Sequence, residues 1–289
     1  MIEQIKITSF QHLEEYLYVT KGDFIYRGLD NASYELIPSF IRHFGYNNTL
    51  ELKILNDFSN YISIYDRIKR NFWETLALAQ HYGLPTRLMD WSFSPFISLY
   101  FIIEDSENKN AGALWQLNIQ SVFNVLPAQI IGTLNKLGTH YASASFLEEY
   151  FETFDILQQR ELRYLNDFNG PYAQESNQYY LFYEPPSIDE RIINQRGLFT
   201  LPSRLTLEME KWLRSVNSIK CNKFIIPLNV KNEIRNRLDV IGINERMIYP
   251  GLEGISKWLV RINKMKNEKL LINNKDDTSA KNKTSWLGP

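Results

Sequence analysis

The stretch ALAQHYGLPTRLMDWSFSPFISLYF, Ala77 to Phe101, constrains this chain more than any other. It sets Gln80, His81, Arg87, Asp90, Trp91 and Ser92 between two apolar runs. Polar groups held between buried elements must find hydrogen-bond partners. The segment therefore folds around an internal network or around a concave site. In the first case Arg87 pairs with Asp90 or a carbonyl, and His81 bonds to backbone. In the second, the same groups converge with Trp91 on a ligand. The local punctuation is plain: Asn71 and Glu74 form a capping-box pattern that opens a helix, and Gly83 and Pro85 stop it near Tyr82. The apolar run Phe96–Ile103 is much shorter than the about 20 residues a bilayer crossing requires, so it reads as a buried helix or strand.

Strand signals fall at residues 4–8, 23–28, 34–37, 112–118, 178–186, 198–202 and 223–228. Helical spacing fits Phe10–Val19, Leu50–Ile68, Phe146–Leu165, Thr206–Val216 and Val230–Val240. Ser187 with Glu190 is a second capping box, opening a short helix that runs to about Arg196. Pro250 suits the first turn of a last helix, with Leu252, Ile255, Leu259 and Ile262 in one apolar stripe. No repeat and no Gly/Ser linker divides these segments. The expectation is one compact α+β domain over residues 1–265, with mixed or antiparallel sheets split by helices, and a flexible Lys/Asn-rich tail over 266–289.

Charge and composition narrow the function. The net charge is −1, so the balance carries no strong nucleic-acid signal. Cys221 is the only cysteine, which excludes an internal disulfide and a zinc–thiolate cluster. His12, His43, His81 and His140 are widely spaced, so no metal site is expected. Glu148, Glu149 and Glu152 read as a solvated helix face, and Trp212 and Trp258 as core or interface. The N-terminus lacks the basic-then-apolar form of a secretion signal, and the expectation is a soluble, cytoplasmic protein without membrane contact.

FIYRGL, Phe24 to Leu29, poses the sharper question, because a strand seldom carries an unpaired guanidinium toward a core. FIYRGL, YELIPSFIR (Tyr34–Arg42), Glu51 and LAQHYGLPTRLMDWSFSPFISLYF together resemble the FRG domain, named for its Phe/Tyr-Arg-Gly motif, over Asp23–Ile103. RIINQRGLFT and IGINERMIYPGLEGISKWL resemble the family's continuation across residues 188–259, with Gly251 and Glu253 standing where Asp is expected. A weaker resemblance links IYRG to the first motif of Arg-Ser-Glu type ADP-ribosyltransferases. MDWSFSPFISLYF is similar to their serine motif, with Ser92 in place. NQRGLF stands at their third motif, with Gln195 in place of the catalytic glutamate.

That second resemblance implies an NAD-dependent ADP-ribosyltransferase or NAD-cleaving enzyme, as in a bacterial toxin or phage-defence effector. NAD would be the dinucleotide substrate, and the macromolecular acceptor is left open. Breaking the nicotinamide–ribose bond leaves an oxocarbenium-like centre. Such a site needs a guanidinium on the pyrophosphate, an aromatic surface and a carboxylate near the ribose. The resemblance implies Arg27, Gln195 and Asp90 as catalytic residues. It implies Tyr26, Arg27, Gly28, His81, Tyr82, Arg87, Trp91 and Ser92 as dinucleotide-binding residues, with Gly28 admitting the ligand close to backbone. Asp90, Glu190 or Glu253 would supply the charge that Gln195 lacks. Two other readings stand beside it: a non-catalytic nucleotide- or nucleic-acid-binding module, and an interaction domain whose polar cluster is structural.

Overall fold

The computed structural model describes residues 2–19, 24–65, 68–105, 107–151, 178–186, 194–264 and 266–267. The chain divides into two compact units, Met1–Leu238 and Asp239–Pro289. Part of the expected helix after Phe146, the Ser187/Glu190 capping box and nearly all of the tail lie outside the described residues.

The first unit is built on one mixed sheet. Its strands are β1 (Ile2–Lys6), β2 (Phe24–Leu29), β3 (Met89–Ser92), β4 (Gly112–Asn118), β5 (Tyr180–Tyr183), β6 (Gly197–Pro202) and β7 (Cys221–Ile226). They lie in the order β1-β7-β4-β2-β3-β6-β5. Only the β1–β7 pair is parallel. The helices are α1 (Phe10–Val19), α2 (Ser39–Phe44), α3 (Asn48–Tyr65), α4 (Phe72–His81), α5 (Pro95–Ile103), α6 (Ile119–Phe123), α7 (Ala128–Leu137), α8 (Ala144–Tyr150), α9 (Met209–Ser215) and α10 (Leu228–Val240), the last crossing into the second unit. The α+β class expected from sequence is the one observed.

Local signals account for several ends. Asn71 caps α4: its Oδ1 accepts from Glu74 N at 2.8 Å, and Glu74 Oε2 accepts from Asn71 N at 3.0 Å. Ser94 caps α5, and Pro95 opens its first turn. The stretch Tyr34–Ile37, expected as a strand, is a loop. No strand lies beside it. Leu36 N instead donates to the Glu210 carboxylate at 3.0 Å, and Ile37 N to the Glu35 carbonyl, so these donors are satisfied without a ladder, and Pro38 leads into α2.

Alternating side chains feed two apolar layers, as a period of two requires. In β5, Tyr180 and Phe182 join Ile25, Trp91, Trp115 and Trp212. Leu181 and Tyr183 join Trp73, Leu76, Phe146 and Phe199 in the other layer. Trp212 is buried, with its indole N–H on the Gln178 carbonyl at 3.0 Å. Lys231 Nζ donates to the Asp30 carbonyl at 2.6 Å and Arg235 Nη2 to the Ile103 carbonyl, tying α10 to the end of β2 and to α5.

The register leaves a gap in the middle of the sheet. β2 and β4 pair from Phe24↔Asn118 to Leu29↔Ala113, and β3 and β6 pair from Met89↔Thr200 to Ser92↔Gly197. β2 and β3 meet only at Tyr26↔Ser92. The sheet therefore splays between its fourth and fifth strands. α5 lies over β2 close to this gap. A Cβ on Gly28 would stand 1.9 Å from the Ser98 carbonyl oxygen, so the missing side chain is what lets helix and strand meet.

In the second unit, α11 (Glu245–Ile248) is followed by a helix, α12, over residues 252–264. Arg261 binds both Asp239 and Glu245, with its Nη2 2.6 Å from Asp239 Oδ1 and its Nε 2.6 Å from Glu245 Oε1. The Arg246 guanidinium sits over the Trp258 ring. The face of α12 used for these contacts carries Trp258 and Arg261. Of the expected stripe, Leu252, Ile255 and Leu259 are exposed and Ile262 is half-buried. Among the described residues, no helix is long and apolar enough to cross a membrane.

Candidate functional site

A pocket of about 260 Å³ opens at the splay. β2 contributes Tyr26, Arg27 and Gly28; β3 contributes Asp90, Trp91 and Ser92; β6 contributes Gly197 and Phe199. Gln80 and His81 come from the end of α4, and Ser98 and Phe101 from α5. Gly83, Pro185 and Gln195 also line the pocket. Residues far apart in sequence meet here because β2, β3 and β6 are consecutive in the sheet.

Arg27 spans the gap. Its Nη1 donates to the Asp90 carbonyl at 2.5 Å and lies 3.7 Å from Asp90 Oδ2. A side-chain bond thus takes the place of ladder bonds that the diverging strands no longer make. The side chain is largely covered, whereas that of Asp90 is 59% exposed. Burial lowers the affinity of the guanidinium for its proton, Asp90 opposes this, and Arg42 adds to it. Arg27 Nε is buried and has no hydrogen-bond partner. A buried charged donor without a partner is unusual in a folded protein.

Asp90 is held from a second side. Gln80 Nε2 donates to Asp90 Oδ2 at 2.8 Å, and Gln80 Oε1 accepts from Thr86 Oγ1 at 2.6 Å. Asp90 is also the only carboxylate among the described lining residues. Ser92 points its hydroxyl away from a free role: Oγ donates to the Gln195 carbonyl at 2.7 Å and accepts from Ser94 N at 3.0 Å. Phe93 N donates to the Arg196 carbonyl, and Arg196 itself has φ 46°, the left-handed region. Two bonds from the Ser92 segment thus hold the turn that brings Gln195 to the pocket.

Of the residues singled out from sequence, Tyr26, Arg27, Gly28, His81, Asp90, Trp91, Ser92 and Gln195 line this space. Arg87 and Tyr82 are not among the lining residues. Tyr82 is 65% exposed at the C-cap of α4. Arg87 is buried and pairs with Glu51 of α3, not with Asp90: its Nε and Nη2 lie 2.9 and 2.5 Å from Glu51 Oε2, and its backbone N donates to Glu51 Oε1 at 2.9 Å. The room beside Gly28 is taken by α5, not held open for a ligand. Glu253 is exposed and pairs with Lys257 at 2.9 Å in the second unit, and Glu190 lies outside the described residues. Gly83, Ser98, Phe101, Pro185, Gly197 and Phe199 were not expected as site residues. Gln80 was expected only through the concave-site reading of the dense segment, and Pro185 and Phe199 carried no local signal.

Among the described residues no group of three or more His, Cys, Asp or Glu side chains is placed to hold a metal. Among the described lining residues the arrangement offers a guanidinium, one carboxylate, two amides, an imidazole and an aromatic wall. No curated protein and no solved structure matches the chain. Residues 22–111, the segment that carries β2, α4, β3 and α5 and most of the described pocket wall, match the family model of the FRG domain.

Proposed function

We propose that the pocket binds a dinucleotide of the NAD type, with Arg27 on phosphate, and that the protein is an ADP-ribosyltransferase-like or NAD-cleaving enzyme. The observation that carries this reading is Arg27 Nε, buried in the pocket wall without a protein partner. It gains support from the strand order, which sets the Arg27, Ser92 and Gln195 segments around one space. Tyr26, Trp91 and Phe101 offer aromatic surface. In the cleavage, nicotinamide leaves with the electrons of its bond to ribose, and positive charge develops at the ribose carbon. Water or an acceptor nucleophile then adds there and gives up a proton. Asp90 is the carboxylate positioned to stabilise that charge.

A second reading, nucleotide binding without turnover, draws on the neutral Gln195 and on the commitment of Asp90 Oδ2 to Gln80. A purely structural role fits Arg27 less well than Arg87, because Arg27 faces a mostly exposed carboxylate and keeps an unpaired nitrogen. Calorimetry with NAD on wild type and Arg27→Ala, with circular dichroism as the folding control, tests the proposal. Loss of a charge-assisted phosphate contact costs about 2–4 kcal/mol, roughly a 30- to 1000-fold drop in affinity. Nicotinamide release by the wild type separates the enzyme from the binding module. No binding of NAD by the wild type at millimolar concentration removes the dinucleotide reading. Equal affinity in both proteins removes Arg27 from the site.

A further inference from the structure

Asp90 is held at the end of a directed hydrogen-bond chain. Leu88 N donates to Thr86 Oγ1 at 3.1 Å, so the Thr86 hydroxyl proton is free to point elsewhere. It points to Gln80 Oε1 at 2.6 Å, which fixes the orientation of the amide. The amide nitrogen of Gln80 must then face Asp90, and it donates to Oδ2 at 2.8 Å. Arg27 also approaches Oδ2, at 3.7 Å. Both protein contacts of the carboxylate therefore fall on one oxygen. Asp90 Oδ1 takes no protein hydrogen bond among the described residues. An ionised carboxylate oxygen accepts only, so its partner in a ligand is a donor.

We propose that Asp90 Oδ1 receives a ligand hydroxyl and that Gln80, anchored on Thr86, is the positioning residue that holds it there. The donor site adjoins the guanidinium of Arg27, so the occupant carries a hydroxyl and an anion on one small framework. The chemical class is a phosphate ester of a polyol, with ribose 5-phosphate its simplest form and a nucleotide its larger one. This rests on the proposed nucleotide reading of the pocket and narrows it to a sugar-phosphate contact. Thr86 is fully buried, so the chain is anchored on rigid backbone and only its last member reaches the opening.

The experiment is calorimetry with AMP, 2′,3′-dideoxy-AMP, ribose 5-phosphate and NAD on wild type, Asp90→Ala, Arg27→Ala, Gln80→Met and Gln80→Leu. A hydrogen bond to a charged group is worth about 1.5–3 kcal/mol, so wild type should prefer AMP over its dideoxy form by roughly 10- to 150-fold. Asp90→Ala should bring that ratio to about one. The two Gln80 variants should lower the ratio severalfold while keeping affinity for the dideoxy ligand, which general loosening of the pocket would not do. Arg27→Ala should weaken both ligands and leave their ratio standing. AMP binding with the full ratio while NAD fails would uphold the hydroxyl site and reject the dinucleotide reading. Ribose 5-phosphate binding as tightly as AMP would support the proposal and make the sugar phosphate the recognised unit. Equal affinity of wild type for AMP and dideoxy-AMP, an unchanged ratio in the Gln80 variants, or no binding of any of these esters overturns it. The exposed Asp90→Ala substitution decides the hydroxyl contact even if a Gln80 variant fails to fold.

Discussion

Glu51→Gln should be among the most damaging single changes in the first unit, although Glu51 is no part of the pocket wall. The Arg87 and Glu51 side chains are 3% and 2% exposed, and the carboxylate accepts two guanidinium bonds and one backbone bond. Removing one partner of such a pair leaves a buried charge uncompensated, at a cost of about 3–5 kcal/mol. In a unit of this size each kcal/mol lowers the melting temperature by about 2–4 °C, so the expected drop is roughly 6–20 °C. A double variant, Glu51→Leu with Arg87→Met, removes both charges and keeps much of the volume. It should recover most of the loss, but not all, because Arg87 N then lacks its acceptor, at about 1–3 kcal/mol. Urea and thermal unfolding of wild type, both single variants and the double variant complete the cycle. If the double variant costs the sum of the single variants, the pair is not coupled. If Glu51→Gln shifts the midpoint by less than about 1 kcal/mol, the buried-pair argument is wrong.

Two further outcomes follow from packing and burial. Gly28→Ala forces a Cβ against the Ser98 carbonyl and so must move α5 off β2; it should cost about 1–3 kcal/mol in chemical denaturation, whereas an alanine at the exposed Gly83 position answers only to its positive φ of 84°. Burial pushes the Cys221 thiol up to about 12 from 9.0, and Tyr180 and Tyr183 are raised above their ordinary value by burial as well. A raised folded value means the folded state holds the proton more tightly, so this contribution is intact below about pH 9 and lost as pH climbs through 12. Melting temperature should therefore fall on the alkaline side of pH 9, less steeply in Cys221→Ala, and a flat profile between pH 8 and 11 would contradict the burial of these groups.

Much of the local architecture was legible because its causes are local. The Asn71 capping box, the stop at Gly83 and Pro85 and the strands at Phe24 and Gly112 each depend on groups a few residues apart. YELI failed as a strand because a strand needs a neighbour, and none of the ladders reaches it. Arg27 could be singled out from FIYRGL, and the dense segment supplied Asp90, Trp91 and Ser92 as candidates. Their placement about one pocket depended on where the strands went.

The amino-acid sequence by itself determined the ends of those elements whose signals are local, which residues must be satisfied inside, and the FRG-like motifs of the first unit. Tertiary structure decided the pairings. Arg87 went to Glu51, 36 positions away, and Arg27 to the Asp90 carbonyl, 63 positions away. The Ser92 hydroxyl went to Gln195, 103 positions away. The physical reason is that a guanidinium or hydroxyl has the same appetite for any acceptor within reach, and strand order and register set what is within reach. With β2 and β3 meeting at a single pair, the sheet opens between them, and Arg27 lines the pocket that results.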